Sequence, residues 1–252
     1  MDAVNSERVG ATTPVAGAGP PVPEPATRSG CDRCHTARCC VRFDPELTGF
    51  DVVRLVASRG LAPREFARLR PAHGEQAGAD GVRLGPSPEV WLLTLASAGA
   101  PRDGGRPCVL LVLAPDAVPR CGVYADRPLR CRTFPTELAP WGVEVETPEA
   151  ICPPNAWSAD RTDLATTRLV HLRARVELAV HHAFLAHWNA FAQALDGVEK
   201  SAVEGMFWDA IVAAHKAAFA RLGADLADPA LTPAAAVAVV ADLLVAAVPG
   251  RS

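Results

Sequence analysis

The chain has 252 residues, 49% of them hydrophobic, so it can bury a core without relying on crosslinks as small secreted domains do. Its formal net charge is −3, and acidic and basic side chains are equal in number between residues 29 and 157. This balance predicts no broad basic surface, which argues against nucleic acid and anionic membranes as partners and leaves a protein partner open.

The first predicted element is a disordered tail at residues 1–28. This segment is rich in Pro, Gly, Ala and Thr and cannot offset the entropy lost on ordering. It also lacks the charged start and apolar core of a signal peptide. No apolar run elsewhere reaches membrane-spanning length. We therefore expect a bacterial cytoplasmic protein, in whose reducing compartment disulfides are disfavoured and cysteine clusters usually bind metal.

A cysteine-rich segment, CDRCHTARCC, follows the tail and contains Cys31, Cys34, Cys39 and Cys40. The spacing of Cys31 and Cys34 lets one tight turn direct two thiolates at one ion. Cys39 and Cys40 are adjacent, and in an extended backbone their side chains would point to opposite faces. Such a pair serves two different sites or contributes only one ligand.

Two short helices are predicted next. Thr48 is a candidate N-cap for a helix that ends at Gly60, where glycine can close the last turn. Pro63 then opens a second short helix that carries Phe66 and Leu69.

Strand patterns follow these helices. The apolar runs VWLLTLA, from Val90, and PCVLLVLAP, around Cys108, predict two strands that pair across a turn at 103–105. The alternating segment WGVEVET predicts a third strand. Together these elements indicate a small, irregular α+β unit over residues 29–157.

The remaining four cysteines, Cys108, Cys121, Cys131 and Cys152, all lie in this unit. Eight cysteines confined to one region indicate thiolate coordination of a metal, because a buried tetrathiolate site is built from such soft donors. Such a site also needs nearby positive charge. The arginines that could supply this charge, as hydrogen-bond donors to thiolate or sulfide, are Arg127, Arg130 and Arg132.

Residues 158–250 form a separate helical domain in this interpretation. Gly and Pro nearly vanish until Gly197, and apolar residues recur at helical spacing. Further helices are predicted from about 201 to 222 and from 233 to 248, which together suggest a bundle. The histidines of this part lack metal-binding spacing and are predicted to be core or surface residues.

The middle region resembles the YkgJ-like cysteine-cluster family, a zinc- or iron-chelating CxxCxxCC domain. The resemblance covers roughly residues 31–153 and is carried by CDRCHTARCC, TGFDVVRLVASRGLAPREF, Cys108, CGVYADRPLRCRTFP and Cys152. It implies that all eight cysteines form the metal-binding set, and that Arg127, Pro128 and Arg132 belong to the motif. Because the family includes flagellin lysine N-methylase, it also implies an alternative function, a cluster-dependent protein N-methyltransferase. The catalytic residues of such an enzyme stay unknown.

The predicted function is therefore a metal-binding cysteine-cluster protein. An iron–sulfur cluster, with the 4Fe–4S type favoured, is preferred to Zn²⁺ because eight thiols exceed the needs of one structural zinc. Two tetrathiolate zinc sites would use the same number of thiols, in a zinc-stabilised interaction module. A redox or metal sensor is a further alternative.

Overall fold

The computed structural model describes residues 37–72, 78–100, 105–113, 118–145, 151–152 and 164–249. The predictions for the tail at 1–28 and for Cys31 and Cys34 lie outside the described residues. The helices are α1 (Cys39–Arg42), α2 (Gly49–Arg59), α3 (Pro63–Phe66), α4 (Leu129–Thr133), α5 (Leu164–Ala192), α6 (Lys200–Leu222) and α7 (Pro233–Ala246). The strands are β1 (Ala67–Pro71), β2 (Gly81–Val82), β3 (Trp91–Leu95), β4 (Leu111–Leu113), β5 (Pro119–Cys121), β6 (Thr136–Ala139) and β7 (Gly142–Val145).

The predicted α+β class is confirmed. Small antiparallel sheets lie before residue 146, and long helices make up the described chain from residue 164 onward. The helices α6 and α7 begin and end within two residues of their predicted bounds. Gly223 directly follows α6, and Pro233 is the first residue of α7. Such residues mark the boundary of an apolar, helix-favouring run, so the bounds of both helices could be predicted from the sequence.

The boundaries of α2 follow the predicted capping residues. The Thr48 side chain accepts a hydrogen bond from the Asp51 backbone N–H at 3.2 Å, and the Asp51 carboxylate accepts one from the Thr48 N–H at 2.8 Å. This reciprocal arrangement satisfies two backbone donors that helix geometry leaves without partners. At the other end, Gly60 adopts the left-handed conformation with φ of 66°.

The predicted strand pairing is wrong in one respect. The segment around Cys108 does not pair with β3 itself but meets the chain just after it, at an antiparallel bridge between Ser97 and Cys108. The Val109 N–H donates to the Ala96 carbonyl at 3.0 Å beside this bridge. Both edges of β3 are already occupied, because β3 pairs with β1 along one side and with β2 along the other. Leu69 likewise lies in β1 and not in a helix, whereas the strand predicted from WGVEVET is confirmed as β7, paired with β6.

One hydrophobic core joins the cysteine-bearing part to the helical part. It includes Phe50 and Leu55 of α2 together with Phe184, Trp188 and Phe207 of the long helices. The helix α7 packs against both α5 and α6, and α2 packs against α6. The two segments thus share buried side chains. The predicted division into separate domains at residues 157 and 158 stays a prediction. Within the described residues, no helix is both long and apolar enough to cross a bilayer.

Gly49 lies where α2 approaches the buried ring of His215. A Cβ atom at this position would overlap the imidazole, and the Gly49 N–H donates to His181 Nδ1 at 3.3 Å. His215 is fully buried and cannot move aside into solvent. We expect Gly49→Ala to lower the free energy of unfolding by about 1–3 kcal/mol because the substitution overpacks the core.

The test is urea denaturation, with Gly205→Ala as the matched control. Gly205 lies within α6, and the nearest atom to an added Cβ there is the end of the flexible Arg64 side chain, 3.9 Å away. The control should be neutral or slightly stabilising because alanine favours a helix. Equal stability of Gly49→Ala and the wild type would contradict the described packing.

Candidate metal centre

Five of the six cysteines that the structure describes line one cavity of about 520 Å³. We call this space the thiol cavity and define it by Cys39 and Cys40 of α1, Cys108 before β4, Cys121 at the end of β5, and Cys131 of α4. All five side chains are half-buried. Thiols that are up to 92 residues apart in the chain therefore face a common volume.

Backbone hydrogen bonds bring these segments together. The Cys108 N–H donates to the Cys40 carbonyl at 2.6 Å, which fastens the turn before β4 to α1. Cys121 is the register partner of Leu111 in the antiparallel pair of β4 and β5, so it returns to the neighbourhood of Cys108. The arrangement of three of the thiols therefore follows from main-chain pairing, which side-chain substitutions elsewhere would leave in place.

The adjacent thiols Cys39 and Cys40 lie on the same side of the cavity. The expectation that they point apart assumed an extended backbone, and it is wrong because both residues lie in a helical turn. Successive side chains in a helix are separated by about 100°, whereas those in a strand alternate between opposite faces. The two sulfur atoms are 3.9 Å apart, and both residues line the cavity.

The thiols of the cavity differ in acidity. The hydrogen bond between the Cys39 and Cys40 thiols lowers the pKa of Cys39 to about 7 and raises the pKa of Cys40. Burial raises the pKa of Cys108 to about 11 and also raises the pKa values of Cys121 and Cys131. The Cys39–Cys40 pair therefore loses its first proton more readily than the other thiols of this group, and a bound cation would favour the thiolate form of all of them.

The three predicted arginines occupy different environments. Arg127 is 9% exposed, lines the thiol cavity and stacks over the Tyr124 ring at 3.9 Å from its centroid. Arg130 also lines the cavity, but it is largely exposed and donates to the Glu46 carboxylate at 3.0 Å. Arg132 is not among the lining residues, because its guanidinium is directed at Glu177. Of the three, Arg127 has the position best suited to compensate thiolate charge.

A buried group of charged side chains lies behind α4, and the sequence did not predict it. Two fully buried carboxylates, those of Asp51 and Glu177, contact the three guanidinium groups of Arg54, Arg132 and Arg173. We call these five residues the carboxylate–arginine cluster. The capping position of Asp51 was readable from Thr48. No local pattern marks Glu177 as the partner of distant arginines, although it is the one acidic residue of α5.

The remaining predicted ligands are placed as follows. Cys152 is half-buried and is not among the residues that line the thiol cavity. Cys31 and Cys34 fall outside the described residues. His171, His181 and His215 are buried, as predicted for core histidines, and none of them lines the thiol cavity.

The donor set of the thiol cavity fits a thiophilic metal. Soft thiolates select zinc, copper(I) or iron–sulfur clusters over hard cations such as Mg²⁺ and Ca²⁺. In the part of the chain that the structure describes, no three His, Cys, Asp or Glu side chains stand in a metal-holding arrangement. The described thiols therefore share one cavity with the right chemistry without forming a closed coordination sphere among themselves.

The family comparison agrees with this donor set. Residues 30–153 match the CxxCxxCC family, described as "Putative zinc- or iron-chelating domain". This part of the chain belongs to that family. The match includes all eight cysteines, and with them every thiol of the cavity. No curated protein and no solved structure shows significant similarity to the chain.

Proposed function

We propose that the protein is a cytoplasmic metal-binding protein that holds a 4Fe–4S cluster through the thiolates of the thiol cavity. The observation that carries this proposal is the convergence of cysteines from four separate chain segments on one cavity. A reducing cytoplasm supports the thiol state that such coordination requires.

The size of the cavity favours a cluster over a single zinc ion. A sphere drawn at the zinc–sulfur distance of ~2.3 Å encloses roughly 50 Å³. The thiol cavity, at about 520 Å³, is far larger. The five described thiols can supply the four ligands that either centre needs, so the preference for a cluster rests on the size of the cavity.

The charge of the cavity wall also supports a thiolate-bound centre. Four thiolates around Zn²⁺ or an oxidised four-iron cluster leave a net charge of about −2 that a protein interior must compensate. The hydrogen bond with Cys40 lowers the pKa of Cys39, and burial raises the pKa of Cys121; the positive charge of Arg127 is a smaller influence that favours the thiolate form of both. A buried guanidinium at this position stabilises anionic sulfur and can donate hydrogen bonds to it.

The ligands are drawn from the cavity and from the cysteines that share its family motif. Four thiolates suffice for one cluster. The five cysteines that line the cavity are proposed as the primary candidates for these four ligands. The other three cysteines of the family motif are proposed as additional members of the metal-binding set. The primary group is Cys39, Cys40, Cys108, Cys121 and Cys131, and the additional group is Cys31, Cys34 and Cys152.

The test is purification of the full chain without oxygen, followed by measurement of iron, acid-labile sulfide and zinc per chain. The expected result is about four iron and four sulfide per chain with broad absorbance near ~400 nm. Colourless protein that retains stoichiometric zinc would overturn the choice of a cluster in favour of the zinc-stabilised module. Protein that retains neither metal, even after reconstitution with iron and sulfide or with zinc, would overturn metal binding altogether.

A further inference from the structure

The carboxylate–arginine cluster connects the long helix α5 to the short helix that carries Cys131. We propose that Asp51 and Glu177 are positioning residues that hold α4, and with it Cys131, at the thiol cavity. The proposal rests on the proposed function, because the cavity is taken to be the metal site. Neither carboxylate lines the cavity, so each would act through α4.

Asp51 secures the beginning of α4. Its Oδ1 atom accepts a hydrogen bond from the Leu129 backbone N–H at 2.8 Å, and Leu129 is the first residue of α4. The same oxygen accepts from Arg54 Nη2 at 2.7 Å, while Oδ2 accepts from the Thr48 N–H. The carboxylate that caps α2 therefore also fixes a second helix that lies 78 residues away in the sequence.

Glu177 secures the middle of α4 through Arg132. Its Oε2 atom accepts from Arg132 Nη2 at 3.1 Å, and Arg132 directly follows Cys131. Arg54 donates to both oxygens of Glu177, at 2.9 and 2.7 Å, which ties this contact to Asp51. Arg173 of α5 completes the group with a bond from Nε at 3.0 Å.

A five-residue helix cannot hold its own position. It has too few backbone hydrogen bonds to be stable alone, so its orientation depends on contacts with neighbouring elements. For α4 these contacts include a bond to its first N–H and an ion pair beside Cys131, both from fully buried carboxylates. Partners that orient a metal ligand in this way typically change metal affinity by about 10–100-fold when they are replaced.

The experiment compares Glu177→Gln with two controls in the full-length, metal-loaded protein. Arg173→Gln removes a guanidinium that contacts the same carboxylate from within α5. Leu244→Ala destabilises the fully buried core of α7 and serves as the control for general loss of stability. The two readouts are the rate of metal loss to a chelator and the hydrogen–deuterium exchange of the amides of α4.

We expect Glu177→Gln to lose metal about tenfold faster than the wild type and to exchange the α4 amides faster, while both controls retain wild-type metal loss. Equal metal loss in Glu177→Gln and Leu244→Ala would show a general role in stability and would overturn the proposal. If Glu177→Gln does not fold, Asp51→Asn takes its place under the same criteria.

The two proposals fail in different ways. If the wild type holds no metal, the proposed function fails, whereas amide exchange at α4 still tests whether the two carboxylates hold this helix. If the wild type holds metal but the variants keep wild-type exchange at α4 and wild-type metal loss, positioning is overturned and the metal site stands.

Discussion

Cys131→Ser is expected to abolish metal retention by the full-length protein. Cys131 lines the thiol cavity from α4, and a serine hydroxyl does not replace a thiolate as a ligand for zinc or an iron–sulfur cluster. A structural metal contributes roughly 10 kcal/mol or more to folding, so chelation of the wild type should likewise unfold the cysteine-bearing part. Metal per chain and circular dichroism measure the two effects.

The matched control is Thr133→Ala in the same helix. The Thr133 hydroxyl donates to the Leu129 carbonyl at 3.1 Å, and Thr133 is not among the residues that line the thiol cavity. This variant should retain metal, and both variants should keep the helical signal of α5, α6 and α7. Stoichiometric metal in Cys131→Ser would count against the proposed ligand set.

Glu177→Ala is expected to reduce the free energy of unfolding by about 3–5 kcal/mol, because it leaves the buried guanidinium groups around it without their counter-ion. Burial alone would raise the pKa of the Glu177 carboxyl, but Arg54 and Arg132 outweigh this effect and hold the pKa well below its ordinary value. Urea denaturation at neutral pH measures the loss. The exposed carboxylate of Asp242, 3.9 Å from Arg221, provides the control, and Asp242→Ala should change stability by less than about 0.5 kcal/mol.

The pH dependence distinguishes loss of this charge from loss of packing. Because the folded-state pKa of Glu177 is lowered, its stabilising contribution is fully present above the unfolded-state value of about 4.3. The contribution is lost as the pH falls through the folded-state pKa. The difference in the free energy of unfolding between the wild type and Glu177→Ala should therefore shrink as the pH falls below about 4.3. A constant difference across this range would contradict the electrostatic account.

The thiol cavity shows how far local sequence signals extend. The confinement of the cysteines and the string CGVYADRPLRC were enough to predict a metal-binding domain and its family. They were not enough to predict that Cys39 and Cys40 face the same cavity, since that depends on whether the chain is helical or extended at residue 39. Nor did they predict that Arg132 contacts Glu177, which is 45 residues away in the chain.

Sequence patterns were enough to predict the elements whose signals are local, such as α2 between Thr48 and Gly60 and the helices α6 and α7. Capping residues, glycine conformations and apolar periodicity act over a few residues, so they can be read without knowledge of the fold. The folded chain was needed to establish which strand occupies each edge of β3, which thiols share a cavity, and which carboxylates hold α4. These contacts depend on which of several distant segments pairs with a given strand edge or buried charged group. No short stretch of sequence encodes the outcome of that competition.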